Sequence, residues 1–252
     1  MQLRTVPDAG GDTAAKVAER LAGLARLADR VAEIRRLIRG TITFSTSLGL
    51  EDQAILHAIA EAGSDIDMFM LDTGRLFPET LEALQRSEQR YGVRIRVLAP
   101  AADELEQLVA RDGAFGFRLS LENRKACCEV RKVRPLKRAL KGAAGWITGL
   151  RRGQSSGRAQ VPFAAWDGEH GLIKLNPIAD WSAEQLDAYI AANDIPVNAL
   201  HARGFPSIGC QPCTRAIRPG EDIRAGRWWW ESEDGKECGL HAAARTRAEA
   251  TA

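Results

Sequence analysis

The sequence lacks the features that mark membrane-spanning, secreted and bulk polyanion-binding proteins. No apolar run approaches the roughly 20 residues of a membrane span, and residues 1–15 contain no apolar signal core. The 252 residues include 35 basic and 33 acidic ones, so we expect neither a nucleic-acid partner nor a membrane partner. Only five cysteines are present, an odd number that does not suit a disulfide framework. These absences predict a reducing, cytoplasmic setting.

The chain also has no Gly-Lys-Ser/Thr loop, which argues against γ-phosphoryl transfer. The hydroxyl-rich segment 45–52 follows an apolar stretch that predicts a strand, and it reads Ser-Thr-Ser-Leu-Gly-Leu-Glu-Asp. Hydroxyls and backbone amides at the start of a helix favour a bound anion. Ser45 and Ser47 are therefore candidate ligand-binding residues, and an ordinary capped turn is the alternative for this segment taken alone.

Apolar runs alternate with helical patterns over most of the chain. Such alternation is typical of right-handed crossovers in a parallel sheet. The predicted fold class is α/β, a parallel twisted sheet flanked by helices, with polar strand ends along one edge where a ligand binds. The predicted strands are 41–45, 66–71, 93–98 and 146–148, with a short element at 172–175, and the predicted helices are 50–62, 78–90, 102–111, 182–192 and a helix over 122–140 broken or kinked at Pro135.

Three regions follow one another along the chain. Residues 1–40 hold an apolar stripe at helical spacing from 14 to 39, which predicts one amphipathic helix that packs on the rest or pairs with a second copy in a homo-oligomer. Residues 41–214 are predicted to form a nucleotide-binding α/β domain. Residues 215–252 are rich in Gly, Arg, Glu and Trp and predict a flexible C-terminal tail.

Basic residues are clustered although the net charge is near zero. Eight lie between 124 and 141 against the single acid Glu129, and such local charge favours a small anionic ligand. Arg151 and Arg152 follow a predicted strand, and paired guanidinium groups suit phosphate or sulfate oxygens. Asp72 ends another predicted strand, where its carboxylate would contact a nucleoside. A solvated charge pair and a turn with an ion pair are the respective alternatives.

Four of the five cysteines form two close pairs, Cys127-Cys128 and Cys210-Gln-Pro-Cys213. Four thiolates grouped in this way predict one metal centre or iron–sulfur cluster, and the spacing does not decide between zinc and iron. Neighbouring residues on a helix point about 100° apart. Both thiolates of the first pair therefore reach one centre only if the local helix is distorted or sits against the cluster. Buried structural cysteines are the alternative.

The fifth cysteine, Cys238, is unpaired and close to the C-terminus. Lys236 and upstream arginines favour its thiolate, which is the reactive form, so Cys238 is a candidate nucleophile. An inert terminal thiol is the alternative. Trp228-Trp229-Trp230, together with Arg224 and Arg227, predicts a tail that docks over a ligand, because exposed indoles are otherwise unfavourable.

Six motifs in fixed order, between about Phe44 and His241, resemble those of one enzyme family. They are Ser-Thr-Ser-Leu-Gly-Leu-Glu-Asp-Gln (45–53), Leu-Asp-Thr-Gly-Arg-Leu-Phe-Pro-Glu-Thr (71–80), Cys-Cys-Glu-Val-Arg-Lys (127–132), Gly-Leu-Arg-Arg (149–152), Cys-Gln-Pro-Cys-Thr-Arg (210–215) and Glu-Cys-Gly-Leu-His (237–241). Together they resemble the assimilatory adenylyl-sulfate (APS) reductases, the iron–sulfur branch of the family that also includes the phosphoadenylyl-sulfate (PAPS) reductases.

The resemblance implies a fold like that of the adenine-nucleotide α-hydrolases, with a modified loop at 45–52 that receives a substrate already adenylylated. Lys132 would lie between a [4Fe-4S] cluster and the substrate. Arginine side chains would bind the phosphosulfate group of the substrate. Gly153 departs from the acidic residue that many relatives carry there. The cluster ligands would be Cys127, Cys128, Cys210 and Cys213, the nucleophile Cys238, and the candidate substrate-binding residues Ser45, Ser47, Asp72, Lys132, Arg151, Arg152, Arg224 and Arg227.

The implied activity is thioredoxin-dependent reduction of APS to sulfite and AMP, in sulfate assimilation and cysteine biosynthesis. Cys238 would attack the sulfate sulfur and form an S-sulfocysteine, which thioredoxin or a similar dithiol resolves because the tail has no second cysteine. The alternatives are reduction of PAPS or of both substrates, tRNA sulfuration, and a non-enzymatic zinc-stabilised binding module.

Overall fold

The structure, a computed structural model, describes residues 9–231 and Leu240. Its strands are β1 (Ile42–Thr46), β2 (Asp67–Leu71), β3 (Arg96–Leu98), β4 (Gly145–Ile147), β5 (Ala164–Asp167) and β6 (Leu172–Leu175), and its helices are α1 (Ala9–Ala22), α2 (Leu27–Leu37), α3 (Leu50–Glu61), α4 (Pro78–Tyr91), α5 (Ala102–Asp112), α6 (Leu121–Cys128), α7 (Arg134–Leu140) and α8 (Ala183–Ala192). The strands form one sheet in the order β3-β2-β1-β4-β6-β5, parallel except for the antiparallel pair β5–β6. The predicted α/β class is confirmed.

The two faces of the sheet are covered by different helices. Side chains alternate across a strand, so Phe44 and Ile147 join a large core with α1, α2, α3, α4 and α8. Phe69 and Trp146 point to the other face and pack against α7 in a smaller core. No helix in the described part of the chain is long and apolar enough to cross a membrane.

The edge strand β5 was not predicted. Its sequence, Ala-Ala-Trp-Asp, is short and has no β-branched residue, so its local preference for a strand is weak. Pairing with β6 through a hairpin defines it instead. The central strands were predicted because parallel strands buried on both faces form continuous apolar runs.

The single amphipathic helix predicted over 14–39 is wrong, because two helices occupy this stretch. α1 stops before Gly23, whose N–H bonds back to the carbonyl oxygen of Arg20 at 3.3 Å, and α2 begins at Leu27. Glycine is a poor helix residue and suits a turn of this kind. The apolar periodicity continues across the break, which is why it predicted one helix.

Both N-terminal helices bury their apolar stripe within the same chain. Val17 on α1 and Val31 on α2 are 1% and 0% exposed and belong to the large core. α1 also contacts β5 closely, since a Cβ atom at Gly10 would lie 2.5 Å from the Trp166 ring. The stripe is therefore satisfied by packing on the sheet; the homo-oligomer and the domain boundaries stay predictions.

The predicted kinked helix over 122–140 consists of three consecutive segments. α6 passes at Cys128 into a π-helical turn, Glu129–Val133, and α7 follows. Pro135 lies in the first turn of α7, directly after the π-helical turn. Proline cannot donate a backbone hydrogen bond to the preceding turn, which suits the point where the helix changes its spacing. A π turn is the kind of local distortion that the adjacent cysteines require, and it begins directly after them.

Candidate active site

A cavity of about 260 Å³ opens at the carboxyl edge of the sheet. The turns after β1, β2 and β4 form much of its wall, as the alternation of strands and helices predicts. The opposite wall comes from residues 206–209, just before the second cysteine pair, and from residues 223–228 after it. Strand ends and the cysteine-bearing loop therefore meet around one space.

A buried carboxylate, Asp52, holds the turn after β1. The backbone N–H and the hydroxyl of Ser47 donate to Asp52 Oδ2 at 2.6 and 2.7 Å. Burial raises the pKa of Asp52 to about 6, while the two bonds from Ser47 act in the opposite direction. Leu48 adopts a φ of 60°, which is unusual for a branched side chain. Gly149 is needed beside the carboxylate, because a Cβ atom there would lie 2.5 Å from Asp52 Oδ1.

Five of the eight predicted substrate-binding residues line this cavity. One comes from the end of β1, one from the turn after it, one from the π-helical turn and two from the segment after the second cysteine pair. They are Ser45, Ser47, Lys132, Arg224 and Arg227. The other three lie outside the cavity wall, each for an identifiable reason.

Arg151 is buried, 5% exposed, and its charge is already paired. Its Nε and Nη2 donate to Glu51 Oε1 at 3.1 and 2.8 Å, and its Nη1 donates to the carbonyl oxygen of Trp181 at 3.3 Å. Glu51 itself lines the cavity. The geometry therefore makes Arg151 a partner of Glu51, whereas the sequence predicted an anion-binding residue.

Arg152 and Asp72 also point to other partners. Arg152 donates from Nε to the carbonyl oxygen of Val161 at 3.0 Å, and its guanidinium lies 5.4 Å from the centre of the Phe163 ring. Asp72 Oδ1 accepts from the backbone N–H of Gly74 at 2.8 Å, which closes the turn after β2. Neither side chain forms part of the cavity wall.

Arg158 and Asp52 line the cavity although neither was among the predicted residues. Arg158 donates to Gln154 Oε1 at 2.7 Å. Its loop matches none of the motifs, and the signal that could have found it is only a basic residue shortly after the strand-end segment 149–156. Asp52 stood inside a quoted motif, but its burial and its bonds to Ser47 follow from tertiary packing.

The paired cysteines border a second, smaller cavity. They are Cys127, Cys128, Cys210 and Cys213, and five cationic side chains share the wall with them: Arg75, Arg124, Arg131, Lys132 and Arg227. Cys210 is 8% exposed, and its Sγ is hydrogen-bonded to Thr73 Oγ1 at 3.2 Å. The carbonyl oxygen of Thr73 accepts from Arg131 at 2.6 Å. The turn after β2 thus fixes the cysteine loop from behind.

Burial and cations act against each other at these thiols. Burial raises the pKa of Cys127, and it raises that of Cys213 to about 12. For Cys210 burial works in the same direction, but the charge of Lys132 and the hydrogen bond with Thr73 contribute to leaving its pKa below the ordinary value. The cations in the wall therefore offset part of the cost of buried thiolate charge.

The four paired cysteines line one cavity together with cations, a setting that suits a negatively charged thiolate-bound group. Within residues 9–231 and Leu240, no three or more His, Cys, Asp or Glu side chains are arranged to hold a metal ion. A tetrathiolate zinc centre and an iron–sulfur cluster both carry negative charge, so the five cations in this wall suit either group.

Comparison with known proteins decides the family. The model of the phosphoadenosine phosphosulfate reductase domain matches residues 41–216. The chain belongs to that family. It is 54% identical over 236 residues to an adenosine 5'-phosphosulfate reductase of Agrobacterium fabrum, covering 94% of this chain and 90% of the relative. To the enzyme of the same name from Sinorhizobium fredii it is 54% identical over 225 residues, 89% of each chain.

The fold of this phosphoadenosine phosphosulfate reductase family member has a counterpart among solved structures. A crystal structure of phosphoadenylyl-sulfate (PAPS) reductase from Candida auris, in a phosphate complex, matches with a TM-score of 0.69 over 84% of this chain and 98% of that one. At 24% sequence identity the likeness shows the shared fold. The family resemblance of the six motifs is thereby confirmed in sequence and in architecture.

In this family member the segment after Cys213 folds back over the cysteine cavity. The backbone N–H of Trp228 bonds to the carbonyl oxygen of Cys213 at 3.2 Å. Trp228 is 2% exposed, and the guanidinium groups of Arg124 and Arg227 each lie 4.6 Å from its ring centre. Arg124 also binds both carboxylate oxygens of Glu231 at 2.9 Å. The chain is therefore anchored beside the cysteines as far as residue 231.

The predicted nucleophile Cys238 lies outside the described residues, as does His241. Leu240 is described: it lines the larger cavity and packs against the smaller core that contains Trp146.

Proposed function

We propose that the protein reduces adenosine 5'-phosphosulfate to sulfite and AMP. The observation that carries the proposal is that the two cavities share a wall, since Lys132, Arg227 and Trp228 line both. A cavity with hydroxyl, lysine and arginine donors suits a phosphosulfate, and it adjoins a four-cysteine site. The relatives named adenosine 5'-phosphosulfate reductase, which match nearly the whole chain, support the same substrate.

The four paired cysteines are proposed to hold a [4Fe-4S] cluster. Their thiolates and the cations around them match the charge of such a group, and the π-helical turn after Cys128 gives the adjacent thiolates the distorted helix they require. Such a cluster would supply a fixed negative charge beside the substrate cavity. Lys132, which lines both cavities, then faces an anion on each side.

Cys238 is proposed to be the nucleophile. Its thiolate attacks the sulfate sulfur; a sulfur–sulfur bond forms as the sulfur–oxygen bond to the phosphate breaks, and AMP leaves with the electron pair. Lys132, Arg158, Arg224 and Arg227 offset the charge that develops on the phosphate oxygens. Leu240, two residues after Cys238 in the sequence, lines this cavity.

A dithiol protein such as thioredoxin is the proposed reductant, in the cytoplasm. One of its thiolates attacks the Cys238 sulfur, and sulfite leaves with the bonding pair. The second thiol of the reductant then displaces Cys238 as a thiolate and closes a disulfide. The two electrons that the dithiol loses reduce the transferred sulfur from the sulfate to the sulfite level.

The test is sulfite release from APS and from PAPS, with thioredoxin, by the wild type and by Cys238→Ser. We expect turnover of APS in preference to PAPS, and its loss in Cys238→Ser with the visible iron–sulfur absorbance retained. Turnover that survives in the variant would exclude Cys238 as nucleophile. Equal rates on the two substrates would contradict the proposed specificity.

A further inference from the structure

We infer that Trp146 is a positioning residue that turns the hydroxyl of Ser45 into a donor for the anion of the ligand, an inference that rests on the proposed function. Trp146 and Ser45 both line the larger cavity. Their side chains lie on the same face of the sheet, since Trp146 is paired in register with Thr43, two residues before Ser45.

The direction of one hydrogen bond fixes the role of the serine. Trp146 Nε1 lies 2.8 Å from Ser45 Oγ. An indole N–H only donates, so Ser45 Oγ is the acceptor and its own hydrogen is not used in this bond. Within the described part of the chain this is the one hydrogen bond made by the Ser45 side chain. Its O–H can therefore donate to a ligand in the cavity.

Ser47 provides the contrast. Its hydroxyl donates to Asp52 Oδ2 at 2.7 Å, so its hydrogen already has an acceptor within the turn. Both serines border the same cavity and both stand in the same motif. Of these two serines, Ser45 is the one whose hydroxyl hydrogen can be donated to a ligand. The indole N–H already bonds to Ser45 Oγ, so the hydroxyl hydrogen is disfavoured from pointing toward Trp146.

The indole of Trp146 is itself held in place on its far side. It is 1% exposed. Lys174, its register partner on β6, places its ammonium 4.7 Å from the ring centre, and His170 meets the ring edge-on at 5.7 Å. His170 Nδ1 is in turn 2.9 Å from Asp167 Oδ2. These contacts fix the position of the indole ring and therefore of the N–H that bonds to Ser45.

The experiment is a double-mutant cycle on the KM and kcat for APS, with thioredoxin, using Ser45→Ala, Trp146→Phe and the double variant. Each single change removes one end of the bond, so we expect each to raise KM about tenfold with kcat little changed. The KM of the double variant should not exceed that of the single variant with the higher KM, because the two residues act through one hydrogen bond. Effects that multiply to about a hundredfold would overturn the inference.

Trp166→Phe is the matched control, since it makes the same change on β5 at a residue that does not line the cavity. Its KM should stay within about twofold of the wild type. A wild type that releases no sulfite from APS would contradict the proposed function, whereas an active wild type with an additive cycle would contradict only the role of Trp146.

A second measurement covers the case in which Trp146→Phe does not fold. The side-chain N–H resonance of Trp146 is followed by NMR while APS is added to Cys238→Ser protein, with and without Ser45→Ala. We expect the resonance to shift on binding only when Ser45 is present. A resonance that does not respond to APS in the presence of Ser45 would overturn the inference.

Discussion

The larger cavity takes its serine hydroxyls from the end of a strand and the turn after it, whereas the smaller one takes its sulfurs from a helix and a loop more than eighty residues apart in the chain. In the larger cavity, polar groups such as Ser47 and Asp52 hydrogen-bond to one another at the rim of the sheet. In the smaller cavity, thiols with unfavourable burial face cations. The first arrangement suits a ligand that comes and goes, and the second suits a group that stays bound.

The wall between the two cavities is where this difference has a chemical use. Lys132 and Arg227 contribute to both sides. A cation between two anionic sites attracts both, and this attraction offsets part of the repulsion between the two sites. Removing groups from one cavity at a time should therefore separate the contributions of the two.

The largest effect is expected from Cys210→Ser, compared with Cys238→Ser as its matched thiol-to-hydroxyl change. Cys210 is buried within the smaller cavity, so its loss should remove both the visible iron–sulfur absorbance and sulfite release. Cys238→Ser should lose sulfite release alone. Iron and acid-labile sulfide are measured in both; full cluster content in Cys210→Ser would contradict the ligand assignment.

A smaller effect, on stability, is expected from Arg151→Met, with Arg152→Met as its control. Arg151 is buried against Glu51, so removing it leaves a carboxylate without its partner and should lower the free energy of unfolding by about 3 kcal/mol. Arg152 is exposed, and its loss should cost less than about 0.5 kcal/mol. Urea denaturation measures both, and equal losses would contradict the buried pairing.

The arginine pair also illustrates what sequence reasoning could and could not predict. The two serines, the four cysteines and Lys132 stand in motifs of the family, which predicted that they share one site. Arg224 and Arg227 lie between motifs and were predicted from their place beside the Trp228–Trp230 run and from the resemblance. Arg151 and Arg152 look equivalent in the sequence. Glu51, in the first turn of α3 and 100 residues away in the chain, binds Arg151 and so distinguishes the two. Arg158 belongs to no motif, and a basic residue shortly after a strand end is too common a signal to predict that its loop reaches the cavity.

The fold shows the same division. The parallel strands were readable because burial on both faces leaves continuous apolar runs. β5 depends on its partner rather than on its own residues, and the break at Gly23 interrupts a periodicity that continues on both sides. Both are decided by tertiary packing, which overrides local preference.

The last effect, expected from Asp52→Asn, is a change in pH dependence that is confined to acidic pH. Burial raises the pKa of Asp52 from 3.8 to about 6, so between these values the folded state keeps a proton that the unfolded chain has lost. The free energy of unfolding of the wild type should therefore fall by up to about 3 kcal/mol as pH rises through this window. Above the window it should level off. Asp52→Asn should remove that slope; urea midpoints that fall equally in both proteins would contradict the shift.

The most direct test of the shared wall is spectroscopic. APS is added to anaerobically purified Cys238→Ser protein, which we expect not to turn over, and the visible circular dichroism of the proposed iron–sulfur cluster is recorded. The same is done with Lys132→Met and the solvent-exposed Lys137→Met in this background. The account predicts a change in the cluster spectrum on adding APS, retained in Lys137→Met and strongly reduced in Lys132→Met. A spectrum that ignores bound APS, or responds equally in all three proteins, would contradict it.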